Sequence, residues 1–175
     1  MIFLLLFLAL LLLYCLFFAV QFYYIVFKGY APFVSTDQNS LRMILAEIEI
    51  ISGLSVYELG CGRALFLRQA EKLLPNSKLT GVENSPVIYW LNLWYLRLRR
   101  SHITLLRKDF FQINLADADI IYCYLNHATM SRLADKIKIE CRPGTIIISR
   151  RFYMPGFLSE KTIVSGQHKV YFYRV

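Results

Sequence analysis

Residues 56–64 read Val56-Tyr57-Glu58-Leu59-Gly60-Cys61-Gly62-Arg63-Ala64, a β-branched and aliphatic run that meets two glycines and then a helix-forming stretch. The pattern is that of a strand, a tight turn and a helix. Glycines in such a turn let backbone N–H groups approach a ligand closely, and the helix N-terminus beyond favours anionic groups. A plain strand-to-helix turn needs the same residues, so the neighbouring segments have to decide between the two.

Some twenty residues further on, Leu79-Thr80-Gly81-Val82-Glu83-Asn84 reads as a second strand ending in a carboxylate. At that place an acidic side chain can accept both hydroxyls of a ribose. A third strand leads into Lys108-Asp109-Phe110-Phe111, where the aspartate can accept an adenine amino group and a phenylalanine can stack on the ring or simply pack in the core. A dinucleotide loop would carry a third glycine where this chain has Leu65, and Glu58 would repel a pyrophosphate. A cationic ligand group suits Glu58 better. The cofactor-binding candidates are therefore Glu58, Gly60, Cys61, Gly62, Glu83, Asn84, Asp109 and Phe110.

Strands are expected over residues 55–59, 78–82, 103–106, 119–124, 145–152, 162–164 and 169–173. Helices are expected over residues 41–51, 64–74, 86–100 and 129–139, with a weak one near Leu115. Ser35-Thr36-Asp37 is the expected cap of the first, and Pro86 suits a first helical turn. Strands alternating with helices indicate an α/β fold, a mostly parallel Rossmann-like sheet with helices on both faces. After Gly144 only strands remain, so the sheet should end in an antiparallel pair.

Ahead of this lies an apolar run, residues 1–27, without a charged side chain. It exceeds the roughly 20 residues needed to cross a bilayer. Fifteen Leu, Ile, Phe and Val residues precede Gln21, worth about −5 to −9 kcal/mol for insertion. A cleaved signal peptide would need a basic start, a shorter apolar core and a small-residue cleavage site. The expected organisation is a transmembrane anchor over 1–27, a linker and N-terminal helix over 28–52, and a ligand-binding domain over 53–175. The first basic side chain is Lys28, so the positive-inside rule puts the C-terminal part on the cytoplasmic side, or the matrix side in a mitochondrion.

The net charge is +8, with Arg97, Arg99, Arg100, Arg107 and Lys108 close in sequence. Beside a membrane span, lipid headgroups are the nearest partner for such residues, although a solvated helix end needs none. No nucleic-acid partner is expected. Cys15, Cys61, Cys123 and Cys141 form no C-x-x-C pair and have no histidines at ligand spacing, so reduced structural thiols and no metal site are expected.

With these motifs in place, the chain resembles the class I, seven-strand S-adenosylmethionine-dependent methyltransferases. More narrowly, it is similar to the small membrane-anchored lysine methyltransferases that modify the adenine nucleotide translocase and the ATP synthase c-subunit. The likeness extends over residues 32–175, beginning with Pro32-Phe33-Val34-Ser35-Thr36. It implies that Glu58, Gly60 and Gly62 form the methionine-side loop, that Glu83 holds the ribose and that Asp109 holds the adenine. Ala64 stands where many relatives have the motif's last glycine, and Tyr124-Leu125-Asn126-His127 lacks the proline common there.

Ligands of such sheets bind at the carboxyl ends of the strands, which makes Tyr124, Asn126 and His127 the candidate acceptor-side residues. Packing of Tyr124 in its strand and a capping or surface role for His127 are the plain alternatives. The resemblance implies transfer to lysine of a protein in or near the membrane. A small-molecule or lipid methyltransferase would use the same cofactor residues, and a non-catalytic membrane scaffold would bind no cofactor.

Overall fold

The computed structural model describes residues 2–28, 38–49 and 51–175. They fall into two units, an N-terminal helix and the part from Gln38 onward.

The first unit is helix α1, Ile2–Lys28. Side chains 2–19 are all exposed. Over Ile2–Val20 the helix is long and apolar enough to cross a membrane, by length and composition.

In the second unit, α2 (Gln38–Ala46) is followed by β1 (Ser55–Leu59), α3 (Leu65–Leu73), β2 (Lys78–Val82), α4 (Pro86–Leu98) and β3 (Thr104–Leu106). Then come a 3-10 turn at Phe110–Gln112, β4 (Ile120–Cys123), α5 (His127–Glu140), β5 (Ile146–Arg150), β6 (Lys161–Ser165) and β7 (His168–Arg174). The seven strands form one sheet in the order β3-β2-β1-β4-β5-β7-β6. The first five run parallel, and β7 lies antiparallel between β5 and β6. This is the expected Rossmann-like sheet with an antiparallel C-terminal pair.

Alternate residues of each strand feed two cores. Val56, Tyr122 and Ile148 face Leu41 and Ile44 of α2, Phe66 and Ala70 of α3 and Leu96 of α4. Tyr57, Ile121 and Ile147 face Met130, Leu133 and Ile137 of α5. Helices thus cover both faces, which is why the central strands are apolar throughout rather than alternating. The order in which strands are added reverses at β1, with β2 on one side and β4 on the other, so a ligand crevice opens at the carboxyl end of β1.

Several sequence expectations move. The helix expected over 41–51 ends at Ala46, because Glu47 and Ile48 donate to Ile44 and Leu45 in tighter i to i−3 bonds that swing Ile48 into the core. The breaker at residues 29–32 and the cap at 35–37 lie outside the described residues. The helix near Leu115 does not form: Asn114 Oδ1 accepts from Ala116 N at 2.8 Å, and Leu115 N is satisfied by Glu140 Oε2 at 3.1 Å. Helix α5 starts two residues before the expected Thr129, since Asn126 caps it. Strand β5 stops at Arg150 because Arg151 turns to φ 75°. The four cysteines are free thiols.

Candidate cofactor site

After β1 the chain turns into α3 within five residues by placing Gly60, Gly62 and Ala64 in the left-handed region, at φ 68°, 51° and 51°. For Ala64 that conformation costs about 1 kcal/mol, against which its fully buried methyl group packs in the core. The loop is stitched by Ala64 N donating to Cys61 O at 2.6 Å and by Cys61 N donating to Val82 O at 3.0 Å. A side chain is crowded at two nearby positions. A Cβ on Gly60 would stand 3.1 Å from Leu125 Cδ2, and one on Gly81 only 2.9 Å from Cys61 Sγ. Gly81, paired with Glu58 across the strands, is what leaves room for the loop.

Glu58 sits buried at the end of β1, and its Oε2 accepts from Leu67 N in the first turn of α3 at 3.1 Å. Burial pushes its carboxyl up to about 8, against the opposing pull of the Leu67 and Phe66 N–H groups and with help from nearby Glu83. A cationic group beside it would return it to the ionised form.

Glu83 lies just past β2, where both of its oxygens find backbone donors. Gly62 N donates to Oε2 at 2.9 Å and Ser85 N to Oε1 at 2.8 Å. Burial raises its pKa while those N–H groups and that of Asn84 restrain the rise. On the far side of the loop, buried Asn92 of α4 donates from Nδ2 to Gly62 O at 2.8 Å. Gly62 is thus held by both its N–H and its carbonyl. Asn92 is missing from the sequence-based site; its signal was a lone amide inside the apolar run of α4.

Asp109 follows β3 and caps the 3-10 turn, accepting from Phe111 N at 3.0 Å. Glu83 N donates to Leu106 O at 3.0 Å, which ties the ends of β2 and β3 together. Phe110 is buried against Phe111, ring centroids 4.7 Å apart, and Arg132 covers the Phe111 ring at 4.2 Å.

A family model described as the ANTKMT methyltransferase domain matches residues 58–161, beginning at Glu58 itself. The chain belongs to this methyltransferase family. It is a class I enzyme, and S-adenosylmethionine is its cofactor. Among curated proteins, the protein-lysine N-methyltransferase of Saccharolobus islandicus (strain REY15A) is 24% identical over 152 residues, 82% of this chain and 93% of that protein. The adenine nucleotide translocase lysine N-methyltransferase of Mus musculus is 27% identical over 96 residues, 50% of this chain and 42% of its own length. Two solved structures share the fold. An RNA methyltransferase from Salinibacter ruber in complex with S-adenosyl-L-homocysteine gives a TM-score of 0.74 at 19% identity, covering 81% of this chain and 94% of that one. A precorrin-6y C5,15-methyltransferase from Geobacter metallireducens GS-15 gives 0.66 at 14%, covering 83% and 91%.

Next to the cofactor crevice of this methyltransferase, Tyr124 continues β4. Its hydroxyl is buried and has no hydrogen-bond partner among the described residues. The Arg150 guanidinium stands 5.6 Å from its ring centroid and the His168 ring 6.1 Å away. Arg150 and His168 were not anticipated from sequence. The other two acceptor-side candidates have structural occupations. Asn126 Oδ1 caps α5, accepting from Thr129 N at 2.9 Å and Thr129 Oγ1 at 2.7 Å, and exposed His127 packs edge-on against Tyr153.

Proposed function

We propose that this methyltransferase methylates the side-chain amine of lysine in a protein held in or near a membrane. The observation that carries the acceptor class is the family match from Glu58 onward, joined to relatives named as lysine N-methyltransferases in an archaeon and a mouse. The membrane setting is supported by the length and composition of α1, with the soluble part on the cytoplasmic or matrix side, as Lys28 and the basic residues after it suggest.

The residues present fit the cofactor. A carboxylate offers about four lone-pair sites, so Glu83, held by backbone N–H groups, can still accept from the vicinal hydroxyls of a ribose. Gly60 and Gly62 provide an approach without side chains, and buried Glu58 favours an ammonium group nearby. Asp109, with Phe110 and Phe111, stands at the adenine end. Bound there, S-adenosylmethionine supplies a methyl group already activated by a sulfonium charge.

The protein's own task is to present a neutral amine in line with that methyl. Lysine has a reference pKa near 10.4, so deprotonation at pH 7 costs about 4 to 5 kcal/mol, and an apolar setting lowers that cost. The Tyr124 hydroxyl, without a partner among the described residues, would accept a hydrogen bond from the incoming amine and orient it.

Incubating the full chain with membrane fractions and cofactor labelled in its methyl group tests this reading. Label should remain with protein and appear as methyl-lysine after acid hydrolysis. Label extracted into organic solvent would overturn it in favour of a lipid acceptor.

A further inference from the structure

Helix α4 buries only Asn92 and Leu96 fully, although ten of its thirteen residues are apolar or aromatic. Trp90, Leu91, Trp94 and Leu98 are 56%, 61%, 67% and 65% exposed. At 100° per residue these four side chains occupy an arc of about 100° on one face, with half-buried Val87 inside it. A contiguous stripe of large apolar side chains marks an interaction site.

Its chemistry points to one occupant. Tryptophan is the residue of membrane–water interfaces, where an apolar ring with one N–H donor is satisfied at headgroup depth. Arg97, Arg99 and Arg100 follow the stripe and are exposed, as are Arg107 and Lys108 beyond β3, and residues 85–108 contain no acidic side chain. That cluster attracts anionic headgroups at about 1 kcal/mol per residue. A second copy of the chain would bring the same five cations against themselves. Ten peptide steps separate Lys28 from Gln38, a reach of at most about 35 Å.

We infer that the Trp90–Leu91–Trp94–Leu98 face of α4, with its arginine-rich end, is an interfacial docking surface that seats the methyltransferase domain on an anionic bilayer. The inference rests on the proposed anchoring by α1. It also brings the start of α4, three residues after Glu83, close to the membrane that holds the acceptor.

Trp90 and Trp94 are the two tryptophans of the chain, so intrinsic fluorescence reads this face alone. The full chain is reconstituted in vesicles of phosphatidylcholine and phosphatidylglycerol, with or without brominated acyl chains, and membrane retention is measured by alkaline extraction. Brominated lipid should lower the emission about twofold or more, aqueous iodide should have little effect, and Arg97→Glu with Arg100→Glu should restore most of the emission while cofactor binding persists. Emission that ignores brominated lipid but is quenched by iodide, in a chain that resists extraction, overturns the docking and leaves the anchor standing. Emission shielded from both quenchers overturns it in favour of contact with another copy of the chain. A chain released by alkali refutes the anchor instead, and the bromine quenching still decides the docking.

Discussion

The backbone N–H of Gly62 donates to Glu83 Oε2 across 2.9 Å, so one hydrogen bond joins the glycine loop after β1 to the carboxylate after β2. Each side of the crevice thereby fixes the other. Removing the carboxylate takes away the proposed ribose acceptor and frees the loop amide at once. Glu83→Ala should weaken S-adenosylmethionine binding at least tenfold, about 1.4 kcal/mol, in a calorimetric titration. Unchanged affinity would remove Glu83 from the site.

Asn92 holds the opposite side of Gly62 through a buried bond to its carbonyl. Asn92→Leu leaves that carbonyl buried without its partner, a loss of about 1 to 3 kcal/mol. Thermal unfolding should show the loss, and the titration should show weaker cofactor binding, because the loop is no longer held in its left-handed turn. A stable variant with full affinity would make Asn92 incidental.

Much of this was legible in the sequence, for physical reasons. Glu58, Gly60, Gly62, Glu83 and Asp109 stand at strand ends, and strand ends are marked locally by glycine, a carboxylate and the change of hydrophobic period. The same signals located five parallel strands and the antiparallel close. What escaped depends on register between distant segments. Arg150 reaches Tyr124 because β5 lies beside β4, and the β5–β7 pairing of Arg150 with Val170 brings the start of β7, with His168, to the same end. No local spacing announces either contact. Asn126 shows the opposite case: its local job, capping α5 through Thr129, is legible from sequence spacing and stands beside the acceptor-side role read for it.

Glu58 gives the fold a pH dependence of definite sign. Its carboxyl is raised from 4.5 to about 8 by burial, so the folded chain holds this proton more tightly than the unfolded chain does. Stability is therefore fully present below about 4.5 and is lost as pH rises through about 8. Glu83, also raised, adds a slope of the same sign. Urea unfolding should show the full chain weaker at pH 8 than at pH 5 by about 1 kcal/mol or more, and Glu58→Gln should flatten that slope. A wild-type profile that rises over this range would mean Glu58 is ionised in the folded protein.

Tyr124 separates packing from chemistry. Its hydroxyl is buried without a partner among the described residues, so Tyr124→Phe removes no hydrogen bond they supply and relieves an unsatisfied polar atom. Thermal stability should hold or rise slightly, and cofactor affinity should not change, since Tyr124 lies beyond the loops proposed to bind it. If the hydroxyl orients the acceptor amine, loss of one hydrogen bond worth about 1 to 1.5 kcal/mol should slow methyl transfer roughly tenfold. Single-turnover kinetics with saturating cofactor measure that step directly. A variant as fast as the parent would leave Tyr124 a packing residue and move the search for the group that accepts from the amine to His168.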